Sequence, residues 1–96
     1  MPEYILLMHG DVADDLDAWR PYFERLRRSA QFEGGSAIGD GVCLKKDGTT
    51  LPTTQSLVGY ICVTAESIEH AKSLLPGNPH YEAGGAIEVR ELPRTG

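Results

Sequence analysis

The sequence predicts one α+β domain of β-α-β-β-α-β order, in which a four-stranded antiparallel sheet carries two helices on one face. Three observations carry that prediction. Short apolar or alternating runs near the start, middle and end of the chain have the length and period of strands. Between them, two stretches repeat their apolar residues every three or four positions, as helices do. Clusters of Gly, Pro and Asp mark the junctions.

Tyr4-Ile5-Leu6-Leu7-Met8-His9 is a nearly continuous apolar run bounded by Pro2 and by Gly10-Asp11. It is too short for a helix and reads as a central strand. Leu16, Trp19, Phe23, Leu26 and Ala30 then recur at helical spacing, and Asp14, Asp15 and Asp17 precede or open that segment. Carboxylates at a helix start cap free N–H groups and complement the dipole, as Arg25, Arg27 and Arg28 do at its end. Pro21 is tolerable only in a first turn, so the regular helix is expected from about Asp17 to Gln31.

Glu33-Gly34-Gly35 ends the helical period, and residues from Ser36 to Lys45 alternate with a period of two. This predicts a glycine-rich second strand, in which glycines mark bulges or close approach of another backbone or a ligand. Asp47-Gly48 is a turn signal, and Ser56–Val63 reads as the third strand, closing a hairpin with the second. Thr64 is expected to cap a second helix whose apolar face is Ile68, Ala71, Leu74 and Leu75, stopped by Pro76-Gly77. Ala86–Leu92 reads as the last strand, with Arg94-Thr95-Gly96 fraying. Right-handed crossovers arrange this order as a split βαβ sheet. Strands one and three are apolar on both sides, so the helix-free face of the sheet is expected to pack on a second copy.

The 96 residues make one domain, spanning 1–96, small enough that dimerisation would add to a marginal core. A net charge of −5 argues against nucleic acid as a partner. No run approaches the roughly 18–20 apolar residues of a membrane span. Met1-Pro2-Glu3-Tyr4 lacks a signal peptide's basic and apolar regions, so the expected location is the cytoplasm. Cys43 and Cys62 have no CxxC spacing and read as small buried hydrophobes. With no HxH or HxxE spacing and no phosphate-cradling glycine motif, neither a metal nor any other cofactor is expected.

Several segments resemble the YCII-related family. They are the Tyr4–Met8 strand, Phe32-Glu33-Gly34-Gly35, and above all Gly77-Asn78-Pro79-His80-Tyr81-Glu82-Ala83-Gly84-Gly85 leading into Ala86–Pro93. The resemblance covers essentially the whole chain. It implies a ferredoxin-like subunit, a dimeric α/β barrel and a pocket between sheet and helices. Most members have no established function, some are found beside sigma factors, and a few relatives act in the breakdown of chlorinated aromatics. Better-studied relatives are thought to use a histidine on the first helix with an aspartate. Here that helix carries no histidine, and Lys46-Asp47-Gly48-Thr49 stands where a larger sister group has Asp-Gly-Pro-Phe.

Topology supplies its own candidates. The end of strand one and the loop before the last strand share a rim, which would gather His9, Asp11, His80, Tyr81 and Glu82, with Gln55 at the hairpin tip. A histidine beside carboxylates can act as a general base or hold an anion. Asp40 shares a strand face with Ile38 and Val42, where burial would make it a site candidate. Glu88 and Arg90 lie on one face of the last strand, positioned to pair across a dimer or to face the pocket. His70 reads as surface. The candidate catalytic residues are therefore His9, Asp11 and Asp40, and the candidate ligand-binding residues His80, Tyr81, Glu82 and Arg90. The leading reading is a homodimeric module that binds a small molecule. The alternatives are a cofactor-free enzyme using His9 with a carboxylate in proton transfer or elimination, on substrates that include small aromatics, and an interaction scaffold.

Overall fold

The computed structural model describes residues 1–29 and 31–93. Ala30, placed by its spacing on the first helix, and the expected fraying of Arg94–Gly96 lie outside the described residues. The strands are β1 (Glu3–His9), β2 (Phe32–Ala37), β3 (Cys43–Leu44), β4 (Thr50–Leu51), β5 (Leu57–Thr64) and β6 (Ala86–Leu92), and the helices are α1 (Trp19–Arg28), α2 (Ile68–Lys72) and α3 (Pro79–Glu82). β2, β5, β1 and β6 form an antiparallel four-stranded sheet in that order, and β3 and β4 pair separately. This is the ferredoxin-like arrangement.

Alternation along β1 decides where the core lies. Tyr4, Leu6 and Met8 are buried while Glu3, Ile5, Leu7 and His9 are partly exposed. The register sets Leu6 between Ile61 and Val89, so one sheet face gathers Leu6, Ile61 and Val63 against Tyr22, Leu26, Ala71 and Leu75 from the helical layer. Leu6 and Leu26 are at most 1 % exposed, each burial stabilising by about 1.5–3 kcal/mol. On the opposite face, Ile5 and Leu7 sit between Cys62 and Tyr60 on one side and Arg90 and Glu88 on the other, and among the described residues the helical layer packs on the other side.

The first helix starts as its sequence requires. A 3-10 turn at Leu16–Ala18, capped when Asp15 Oδ1 accepts from the Asp17 N–H, leads into α1. Pro21 thereby falls in the first turn of α1. Leu16, expected on the apolar face, is 78 % exposed because it belongs to this lead-in turn.

The second strand is shifted from expectation. β2 is Phe32–Ala37, and a bulge between Phe32 and Gly34 breaks its pairing with β5. Gly34 takes a φ of 123°, a value that glycine tolerates. A Cβ on Gly35 would lie 2.5 Å from the Tyr60 carbonyl oxygen, so the glycine lets the two backbones approach. The alternation from Ser36 to Lys45 does not form one strand. After Ala37 the chain leaves the sheet, with Ile38 N–H still donating to the Val58 carbonyl at 2.9 Å, and forms the β3–β4 hairpin around Asp47-Gly48. Asp40 is consequently an exposed loop residue and not a carboxylate on a covered strand face. Cys43 and Cys62 are free thiols of intermediate burial, short of the buried positions expected of them.

The second helix is also shorter than expected. Ser67, not Thr64, caps α2 by accepting from the His70 N–H, and Ile68 is 47 % exposed. A separate helix follows at α3, where Asn78 Oδ1 accepts from the Tyr81 N–H and Pro79 occupies the first turn. His70 is half-buried, its ring bonded to the Glu66 N–H and to the Gln31 side chain.

Candidate functional site

α3 exists because Asn-Pro is a cap followed by a first-turn proline, and its placement buries His80, which is 4 % exposed. The imidazole crosses to the end of β1, where Nε2 lies 2.7 Å from the His9 carbonyl oxygen. A carbonyl only accepts, so Nε2 carries the proton and the neutral ring keeps Nδ1 as an acceptor. No hydrogen bond joins Nδ1 to another described residue; the buried side-chain polar atom without a partner among the described residues is the nearby Asn78 Nδ2. The Gly85 N–H donates to the His80 carbonyl, and a Cβ on Gly85 would collide with the imidazole. The ring is thus held from both sides.

His80 lines a cleft of about 470 Å³ on the helix-covered face. Met8, Gly59 and Ile61 of the sheet form its floor, and Trp19 and Phe23 of α1 form a wall. Those two rings stack with centroids 5.4 Å apart and planes 24° apart. Trp19 Nε1 donates to Asp14 Oδ2 at 2.8 Å, which fixes both the indole and a carboxylate at the cleft. Asp11 and Asp14 both line it. A volume of this size lies within the range of small-ligand sites, and a mainly apolar lining with a few polar groups is their usual character.

The expected rim is divided between the two faces of the sheet. Strand alternation sends the His9 side chain to the helix-free face, where Nε2 lies 2.9 Å from Glu88 Oε1 and Nδ1 lies 2.9 Å from Ser56 Oγ. Its carboxylate partner is therefore Glu88, with Asp11 on the cleft side of the sheet and Asp40 away in its loop. Arg90 Nη1 donates to Glu88 Oε2 at 2.9 Å, so Arg90 belongs to the helix-free face and not beside His80. The Arg90 guanidinium, and after it His9, hold the Glu88 carboxyl below its ordinary value. Tyr81 is 44 % exposed, and Glu82 Oε2 accepts from the Gly77 N–H at 2.9 Å, tying down the turn before α3. Gln55 is exposed and donates to the Thr53 carbonyl.

The structure thus brings His80 and Asp11 to one cleft, joined by Asp14, Trp19 and Phe23, which sequence reasoning assigned to capping and core. The signal for Trp19 lay in its distance of five positions from Asp14, reachable only because a 3-10 turn intervenes. Among the described residues, no three His, Cys, Asp or Glu side chains gather where they could hold a metal ion, and no helix is long and apolar enough to cross a membrane.

The chain matches no family model and no curated protein sequence. Among solved structures it is similar to 5-chloro-2-hydroxyhydroquinone dehydrochlorinase from Burkholderia phenoliruptrix AC1100, determined in complex with 2,5-dihydroxybenzoquinone. The TM-score is 0.58 at 17 % identity, over 97 % of this chain and 95 % of that one. The shared property is the fold. The YCII-related resemblance is supported at that level, by a neighbour of the same ferredoxin-like architecture.

Proposed function

We propose that this protein is a YCII-like small-molecule-binding module that takes a compact, planar ligand into the cleft between α1 and the sheet. The observation that carries the reading is the buried His80 ring, locked through Nε2 and lining an apolar cleft walled by stacked aromatics. A flat ring would slide between that wall and the Met8–Gly59 floor and give a hydrogen bond to Nδ1. The solved structure of similar fold holds a quinone of that size, which is consistent with this reading.

Trp19 is the sole tryptophan, so occupancy is directly readable. Titration with hydroxylated one- and two-ring aromatics is expected to change Trp19 emission, and saturating ligand to raise Tm by on the order of 10 °C. Ala37→Phe, which fills the cleft from the end of β2, is expected to abolish both effects while leaving the circular dichroism spectrum unchanged. If Ala37→Phe binds as wild type does, or if no compound moves either signal, the cleft is not the ligand site.

The same geometry favours a second reading, catalysis without a cofactor. Nδ1 can take a proton from a bound ligand, becoming imidazolium while Nε2–H stays on the His9 carbonyl, and return it to another position. Turnover by wild type and its loss in His80→Gln, with binding retained, separates this from simple binding.

We also propose a homodimer through the helix-free face. Its charged centre, His9, Glu88 and Arg90, is paired within the subunit, so a second copy could cover Ile5, Leu7 and Tyr60 without stranding an ion.

A further inference from the structure

The carboxylates that line the cleft carry one sign of charge, beside the neutral hydroxyls of Ser36 and Tyr60. His80 Nδ1 is an acceptor because Nε2 is committed to the His9 carbonyl. Asp14 uses one oxygen for the Trp19 N–H and keeps Oδ1 without a partner among the described residues. Asp11 adds a second carboxylate, and no lysine or arginine is in the lining. On α1, Arg27 stacks over the Phe23 and Phe32 rings, its guanidinium 5.9 and 5.3 Å from their centroids, and is not among the cleft's lining residues. Arg20 is exposed and paired with Glu24.

An anionic ligand would meet two like charges there with nothing to neutralise it, and this cost grows as water is excluded. A protonated amine would meet the opposite situation. Asp14 is anchored by the Trp19 N–H beside the aromatic wall, so an ammonium group would find a fixed carboxylate there. Resting on the small-molecule reading above, we infer that the cleft selects an aromatic ligand bearing a protonated amine, and discriminates against carboxylates and phosphates of the same shape. The aromatic ring stacks against the Trp19–Phe23 wall, and the ammonium donates to Asp14 and Asp11. This selectivity is opposite to that of a site built for an acidic quinone.

The test uses three ligands alike in shape: 2-(2-naphthyl)ethylamine, the corresponding alcohol 2-(2-naphthyl)ethanol, and 2-naphthylacetate, each titrated calorimetrically into the full chain at fixed ionic strength. The amine is expected to bind at least about tenfold more tightly than the carboxylate, with the alcohol between them. Asp14→Asn keeps an acceptor for the Trp19 N–H while removing the charge, and is expected to shrink that ratio to about threefold or less. Added salt is expected to weaken the amine and leave the alcohol unchanged. Tighter binding of the carboxylate, or a ratio untouched by Asp14→Asn and Asp11→Asn alike, overturns the selectivity and leaves the small-molecule reading standing. Failure of all three ligands to bind, together with a silent hydroxylated panel, overturns both.

Discussion

At the scale of single residues, His80 and Gly85 form a unit. The imidazole occupies the space a Cβ at Gly85 would need, so any side chain there must push the ring off the His9 carbonyl. Gly85→Ala alone is expected to destabilise by about 1–3 kcal/mol, as overpacking does. In His80→Ala the ring is gone and the added methyl has room, so Gly85→Ala on that background should cost little. Urea unfolding of the four species in the double-mutant cycle is expected to give a coupling of about 1 kcal/mol or more. Additive costs would mean that the imidazole and Gly85 do not share that space. This contact also explains part of what the sequence left hidden. Tyr81-Glu82-Ala83-Gly84-Gly85 was legible as a turn ahead of the last strand, but nothing in its composition says that the second glycine makes space for a histidine five positions earlier. His9 and His80 were both legible as rim residues. That their side chains point to opposite faces of the sheet depends on the residue-by-residue alternation of β1 and on α3, and α3 was written in Asn78-Pro79 as a cap and a first-turn proline.

At the scale of elements, the long periodic segments were legible and the glycine-rich ones were not. β1, β5, β6 and the body of α1 fall close to where their apolar patterns place them, because burial of one face enforces the pattern. β2 has the sequence FEGGSA, too poor in side chains to carry a period, and its register comes from backbone contact with β5. The competing alternation from Ser36 to Lys45 is on largely exposed chain, where no buried face gives it structural meaning. The helical layer is tied together by Tyr22, whose hydroxyl donates to the Leu74 carbonyl at 2.8 Å, while the Arg25 guanidinium donates to the Pro76 carbonyl. Burial pushes the Tyr22 hydroxyl above its ordinary value of 10.0, and the nearby Asn78 amide and Arg25 charge draw it partway back. The folded state therefore favours the protonated phenol. Its contribution to stability is whole below pH 10 and is lost as pH rises through the raised value. Tyr22→Phe is expected to cost about 1 kcal/mol at neutral pH, the net value of the hydrogen bond. It should also flatten the decline in stability above pH 10, read from thermal melts at a series of alkaline pH values. A variant that declines as steeply as wild type would assign that decline to another group.

At the scale of the whole molecule, the unresolved demand is the bare side of the sheet. The four-stranded sheet carries its helices on one side, and the molecule's shortest extent is 18 Å. Ile5, Leu7, Tyr60 and Cys62 remain half-buried on the other side, where burial, and then Glu3 and Glu33, keep the Cys62 thiol protonated by raising it above its ordinary value. Leu7 lies at the centre of this face, paired across the strands with Tyr60 and Glu88. In an isolated subunit Leu7→Glu would leave the new carboxylate in contact with water and cost little. In a two-fold dimer the same change brings two carboxylates together beside the Glu88 pair, in an interface that water has left, at a cost of several kcal/mol per ion. Sedimentation equilibrium is thus expected to give wild type twice the 10.5 kDa chain mass and Leu7→Glu a single chain mass. Ligand-induced change in Trp19 emission should survive in the variant, because Leu7 does not line the cleft. A monomeric wild type would refute the second copy as occupant of this face. Loss of ligand binding on dissociation would instead show that the cleft is complete only when two subunits meet.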